Sequence, residues 1–192
     1  AAAKLILHRL KKEMVIFTTY HQLVIKAISE GETITMEFPL YDTVEYPPNK
    51  KLHTAFGIQE PISSLFSKEL SMLIIEVKDE ETLSSIQPNF AEALESTPEI
   101  KELVITCRST QSSEYDFYSR CFCPWIGINE DPVTGSSHSV LAKYWGNKLK
   151  KTEMHAYQLS KRGGFMKLKI INDNTLEVSS NAHIVLEGLM EI

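Results

Sequence analysis

The chain reads as an α+β protein in which a helix combined with an antiparallel sheet occurs twice, more fully the second time. Three observations predict this. The run Ala1 to Leu10 is rich in Ala, Leu and Ile, which favour helix. In Thr33 to Phe38, Ile34, Met36 and Phe38 alternate with Thr33, Thr35 and Glu37, the pattern of a sheet with one wet face. Val140, Leu141, Tyr144 and Trp145 recur at helical spacing between stretches of β-branched and aromatic residues.

In chain order, the first helix places Leu5, Ile6 and Leu10 on one stripe, with His8 to Lys12 as its cationic C-terminal turn. Strands follow at Met14–Thr18, Gln22–Ile28 and Thr33–Phe38, and Ser29 to Glu32 turn between the last two. Pro39 to Lys50, with Pro39, Pro47 and Pro48, suits neither a helix nor a central strand and marks the linker. The expected division is 1–45 and 46–192. Beyond it come a short helix at Lys51–Phe56, a strand at Met72–Val77 and helices starting near Asp79 and Pro88. Leu103–Cys107 and Tyr115–Cys123 read as strands and Ser137–Leu149 as the main helix. Strands at His155–Leu159, Met166–Ile171, Thr175–Val178 and Ala182–Leu189 close the chain, with Asn172-Asp173-Asn174 as a turn.

Composition limits the function classes. Hydrophobic residues at 43% and charged residues at 23% are those of a folded chain with a sizeable core. A net charge of -5 without a long Lys/Arg run argues against a nucleic-acid partner. No apolar run reaches the roughly 18 residues of a membrane span, and Ala1 to Leu10 lacks a signal peptide's charge order, so no membrane partner and a cytoplasmic location are expected. Cys107, Cys121 and Cys123 form no CxxC pair, which fits buried thiols better than disulfides or zinc. His8, His21, His53, His155 and His183 show no metal-ligand spacing, and no metal is expected. Tyr115, Phe117, Tyr118 and Phe122 could stack a planar ring or fill a core.

The stretch NEDPVTGSSHSVLAKYW, from Asn129 to Trp145, carries the candidate chemistry. Gly135 permits unusual backbone geometry, and Ser136 or Ser137 is a natural N-cap. The first N–H groups of the following helix lack internal partners and can hold a carboxylate or phosphate. Asp131 and Glu130 lie just upstream, where a carboxylate can bind an amine or move a proton. On spacing alone the plainer reading is that Asp131 and Ser136 cap a turn and a helix. A Ser136-His138-Asp131 hydrolase triad fails, because there is no GxSxG elbow and helix residues two apart do not face each other.

Asp116 to Arg120, Pro124 to Gly127, Glu130 to Ser136 and Gln158 to Gly164 together resemble the phenazine-biosynthesis-like (PhzF) family. The resemblance runs over the whole chain. It implies a diaminopimelate epimerase-like fold: two domains, each a sheet or barrel wrapped around a central helix, here with the first incomplete. It further implies an isomerase that shifts a proton on a small amino- or hydroxy-carboxylic acid without cofactors. Asp131 and Ser136 match the family's catalytic positions, and Thr134, Gly135, Ser137, Gly163 and Gly164 its substrate-binding positions. Gly163 and Gly164 can equally serve a tight turn. Ser136 stands where related epimerases place a catalytic cysteine.

The resemblance also implies elements that this sequence does not contain, namely a general-base glutamate in an Asn-x-x-Glu-Thr context and a Gly-His turn ahead of the first helix. Glu37, Glu114, Glu130 and His138 are the substitutes to weigh, each with a bland surface, cap or core role. The expected partners are a small carboxylate and either a second copy, as in a dimer, or a complementary N-terminal fragment, since a three-strand remnant leaves open edges. The alternative to an isomerase is a catalytically silent carboxylate-binding or interaction module.

Overall fold

The computed structural model describes residues 2–20, 22–97, 99–110 and 114–188. Ala1, His21 and Leu189, which figure in the sequence expectations, lie outside them. Helix α1 (Ala2–Leu10) leads into strands β1 (Met14–Thr18), β2 (Val24–Glu30) and β3 (Thr33–Pro39). The two-residue strand β4 (Val44–Glu45), α2 (Lys50–Ala55), β5 (Ser63–Ser67) and β6 (Met72–Glu76) follow. Next are α3 (Glu80–Ser85), α4 (Phe90–Ser96), β7 (Glu102–Arg108) and β8 (Phe117–Cys123). A 3-10 turn at Pro124–Ile126 precedes β9 (Ile128–Asp131), α5 (His138–Leu149), β10 (Glu153–Gln158), β11 (Gly164–Asn172) and β12 (Thr175–Asn181).

The strands join in one sheet ordered β1-β2-β3-β12-β11-β10-β8-β7-β6-β5-β4, with β9 also on β8. Its two faces carry separate cores. Met72, Ile74 and Val104 face α5, whereas Leu73, Ile75, Leu103 and Ile105 face the side packed by Leu52, Leu83 and Ala93 of α2, α3 and α4. Because both faces are covered, β6 is buried at every position, and its first four residues, Met72 to Ile75, are a continuous apolar run rather than an alternating one. Asn49, Asp79 and Asn89 cap the three short helices through their side-chain oxygens.

Helix α5 is positioned by packing more than by its cap. Trp145 is 1% exposed, stacks on Phe117 at 5.5 Å and donates Nε1–H to Thr106 Oγ1 at 3.0 Å. Glu76, at the end of β6, accepts from Lys148 Nζ at 2.5 Å and from Tyr144 OH. Burial of each large side chain contributes about 2 kcal/mol gross, against about 1 kcal/mol for a side-chain N-cap, and α5 has no such cap bond.

Several sequence expectations need correction. The buried residues of α1 are Ala3 and Leu7, which sit on Ala27 and Ile34; Leu10 is 57% exposed. Strands β4, β5 and β9 were not anticipated, β4 lying within the expected linker, and 182–188 is not a strand. Tyr115, Phe117, Tyr118 and Phe122 pack in the cores, the second of the two readings, and do not form one platform. The sheet separates them, with Phe117 on the α5 side and the others in the opposite core. In β3 the alternation holds: Ile34 is buried, while Thr35 and Glu37 bond Ser179 and Lys26 on the other face.

Candidate functional site

The site forms where two strands share one edge of β8. The opposite edge belongs to β7. Along the shared edge, β10 runs parallel to Phe117–Ser119 and ends at Gln158, opposite Ser119. β9 runs antiparallel to the remainder, with Asp131 opposite Cys121. The C-terminal ends of β9 and β10 therefore meet. An extra residue in β9 between the Cys123↔Ile128 and Cys121↔Asp131 pairs makes a bulge, which re-aims the strand end that carries Asp131.

Around that junction the polar groups are closely bonded. Thr134 donates its hydroxyl to Asp131 Oδ2 at 2.5 Å. The Thr134 N–H donates to Gln158 Oε1 at 2.8 Å, and Gln158 Nε2 donates to the Asp131 carbonyl at 2.5 Å and to Thr134 Oγ1 at 3.2 Å. Ser160 donates to the Pro132 carbonyl at 2.7 Å and accepts the Gly163 N–H at 3.0 Å, tying the turn after β10 to the same loop. The Cys121 thiol borders the cluster. Its hydrogen bond with Cys123, burial and the Cys123 charge all push it up. Glu102 is also raised, by burial first and then by Asp131.

At the head of α5, the first backbone bonds are donated by His138 to Gly135 O and by Ser139 to Ser136 O, both at 3.1 Å. The N–H groups of Gly135, Ser136 and Ser137 meet no acceptor among the described residues. Such groups carry partial positive charge and accept an anion. Neither serine caps the helix by side chain: Ser136 is exposed, and Ser137 is buried and donates back to Thr134 O at 3.0 Å. Gly135 has no positive φ, and an added Cβ would only touch Phe38 at 3.7 Å, so the special backbone geometry expected there is absent.

Beside this helix end lies a cavity of about 640 Å³, lined by Phe38, Val133, Gly135, Arg162, Gly163 and Gly164 among others. It brings together three of the seven residues singled out in the sequence, Gly135, Gly163 and Gly164. Asp131, Thr134, Ser136 and Ser137 are not in its lining: Asp131 and Thr134 sit in the adjoining hydrogen-bonded loop, Ser136 is exposed, and Ser137 is buried. Gly163 has φ +72, with the Tyr157 hydroxyl where a Cβ would be, and a Cβ on Gly164 would strike the Val133 methyls. Both glycines are therefore required by the chain's own packing.

The other candidates have structural roles. His138 Nδ1 lies 2.8 Å from the Thr134 carbonyl and its ring stacks on Phe117 in the core, so it does not reach the helix mouth. Burial pushes its pKa down to about 4, and Nε2 has no partner among the described residues. Glu37 pairs with Lys26, Glu130 with Arg120, and Glu114 precedes the opposite end of β8 from Cys121. Among the described residues no group of three or more His, Cys, Asp and Glu side chains is arranged for a metal.

The sequence motifs contain Gln158 and Arg120 but do not by themselves assign them roles. A signal for Gln158 was present: it stands third in the inward series Met154, Ala156, Gln158, where an apolar residue is expected.

Known proteins share both sequence and fold with this chain. "Phenazine biosynthesis-like domain-containing protein 2" of Mus musculus is 36% identical over 177 residues, covering 86% of this chain and 62% of the mouse protein. An uncharacterized isomerase of Halalkalibacterium halodurans is 40% identical over 170 residues, 87% of this chain and 61% of that protein. This chain thus spans about three fifths of the length of these relatives. A Clostridium difficile PhzC/PhzF protein of known crystal structure superposes with a TM-score of 0.84 at 32% identity, over 100% of this chain and 71% of that one. The α+β architecture is the diaminopimelate epimerase-like fold. No helix among the described residues is long and apolar enough to cross a membrane. Residues 2–188 match the model of the family described as phenazine biosynthesis-like protein, PhzC-PhzF, and the chain belongs to that family.

Proposed function

We propose that this chain supplies the carboxylate-holding and part of the proton-moving machinery of an isomerase acting on a small amino- or hydroxy-carboxylic acid. The observation that carries this reading is the connection, through Thr134, between the Asp131 carboxylate and the open N–H groups of Gly135, Ser136 and Ser137. The substrate carboxylate binds those N–H groups, with Ser136 as a further donor. Arg162 contributes a positive charge at the cavity wall. Asp131 then exchanges a proton with the substrate. Family membership and the relative named as an isomerase support the reaction class. Proton transfer of this kind leaves the oxidation state unchanged and proceeds without cofactors.

The test is incorporation of solvent deuterium into a panel of amino and hydroxy acids, followed by NMR. Exchange that Asp131→Asn abolishes is the expected result. Carboxylate binding with no exchange across the panel would instead make the chain a silent binding module.

We also propose association with a second copy or a complementary fragment. Met14, Ile16 and Val24 are 49%, 58% and 60% exposed on or beside β1, whose outer edge meets no strand among the described residues. The division at 45/46 belongs to the same proposal, with β12 crossing it by pairing with β3. A monomer by native mass spectrometry at micromolar concentration would refute association.

A further inference from the structure

We infer that Gln158 is a positioning residue: it fixes the Thr134 hydroxyl as a donor to Asp131 Oδ2 and thereby sets which carboxylate oxygen is free to meet the substrate. This rests on the reading of Asp131 as the proton-moving group. Gln158 is fully buried, and both its amide oxygen and its amide nitrogen are engaged within one loop. Its Oε1 accepts from Thr134 N at 2.8 Å, while its two Nε2 hydrogens go to the Asp131 carbonyl at 2.5 Å and Thr134 Oγ1 at 3.2 Å. The amide has only one acceptable orientation. A flip would set Oε1 against the Asp131 carbonyl and Nε2 against the Thr134 N–H, giving two repulsive contacts in a dry site.

With the amide fixed, the Thr134 hydroxyl is fixed as well. Its oxygen receives a hydrogen from Gln158, so its own proton must go to another acceptor. Asp131 Oδ2, at 2.5 Å, is the strong one, and the Cys121 sulfur beside it is weak. Oδ2 is thereby occupied, leaving Oδ1 for chemistry. Gln158 also clasps the Asp131 main chain, so one side chain holds both the strand end and the hydroxyl that orients the carboxylate. β9 and β10 share an edge of β8 but not a ladder with each other, and this amide is a link between their ends.

The test is the Thr134 hydroxyl proton in NMR spectra of the full chain, identified by its loss in Thr134→Val. The wild type is expected to show it as a downfield, slowly exchanging resonance. Asp131→Asn should move it upfield. Gln158→Met, which preserves volume, should raise its exchange by about tenfold or more, the equivalent of one hydrogen bond, while amide protection in β8 and β10 stays within about twofold of wild type. Thr134→Ser should restore the signal. If Gln158→Met does not fold, Gln158→Asn, which withdraws the amide by one methylene, gives the same comparison. A wild-type chain without the resonance, or a Gln158 variant with unchanged shift and exchange, overturns the proposal. No substrate is involved, so failure of deuterium exchange with this signature intact would sink the isomerase reading alone.

Discussion

Arg120 grips Glu130 in two hydrogen bonds, Nε to Oε1 at 2.8 Å and Nη2 to Oε2 at 3.1 Å. Its Nη1 donates to the carbonyls of Leu83 at 3.3 Å and Ile86 at 2.8 Å. One guanidinium thus ties β9, the strand that ends at Asp131, to the C-terminal end of α3. The two side chains are only 11% and 23% exposed, so the pair is partly desolvated and its planar geometry matters. Arg120→Lys keeps the charge but loses the fork and at least one carbonyl bond. We expect it to cost about 2 kcal/mol in urea unfolding. A loss below about 0.5 kcal/mol would mean that the link is passive.

Gly164 and Val133 form a second coupled pair, because a methyl on Gly164 enters the space of the Val133 side chain. Gly164→Ala should destabilise the chain by about 1–3 kcal/mol, the usual cost of overpacking. Val133→Ala opens that space, so the double variant should recover part of the loss and the two changes should be non-additive. Thermal unfolding of the four proteins measures this directly. Strict additivity would show that the backbone at Gly164 moves aside instead.

The parts of the fold readable in the sequence were those whose cause is local. β1 was bounded correctly by its apolar run, α3 and α4 were expected only by their starts near Asp79 and Pro88, and α5 was placed to within one residue by its helical spacing. β5, with the sequence SSLFS, escaped because its pairing with β6 supplies what its composition lacks. β9 escaped because a four-residue strand with a bulge, lying between a 3-10 turn and a helix, reads as a loop. At the site, spacing identified the helix mouth. It could not show that Ser137 turns inward, that Gly135 is conformationally ordinary, or that Gln158 reaches across from another strand. Those facts depend on long-range pairing, in which β10 skips over β9 to lie beside β8.

Gly135 separates binding from folding. Its backbone lies outside the positive-φ region and an added Cβ would make only an ordinary contact with Phe38, so Gly135→Ala should change stability by less than about 0.5 kcal/mol. The new methyl would nonetheless project toward the cavity beside the open N–H groups. Weakened binding of small carboxylates at unchanged thermal stability is the expected outcome, with calorimetric titration of a carboxylate panel as the measurement. Unchanged binding would place the anion elsewhere.

His138 gives the chain a definite pH dependence. Burial holds its folded-state pKa near 4, below the ordinary value of 6.5, with no charged neighbour contributing and the Thr134 carbonyl offsetting only part of the effect. In the unfolded chain the ring takes up a proton below about pH 6.5; in the folded chain it stays neutral until about pH 4. The unfolded state therefore binds more protons within that window, and stability must fall as pH decreases through it. The contribution is fully present above about pH 6.5 and amounts to about 3 kcal/mol across the window. His138→Gln can still donate to Thr134 O but cannot titrate. Urea unfolding between pH 7.5 and 4.5 should show a steep loss for the wild type and a shallower one for the variant. If the variant keeps the wild-type slope, the acid sensitivity belongs to other groups, and the neutral core imidazole is not its source.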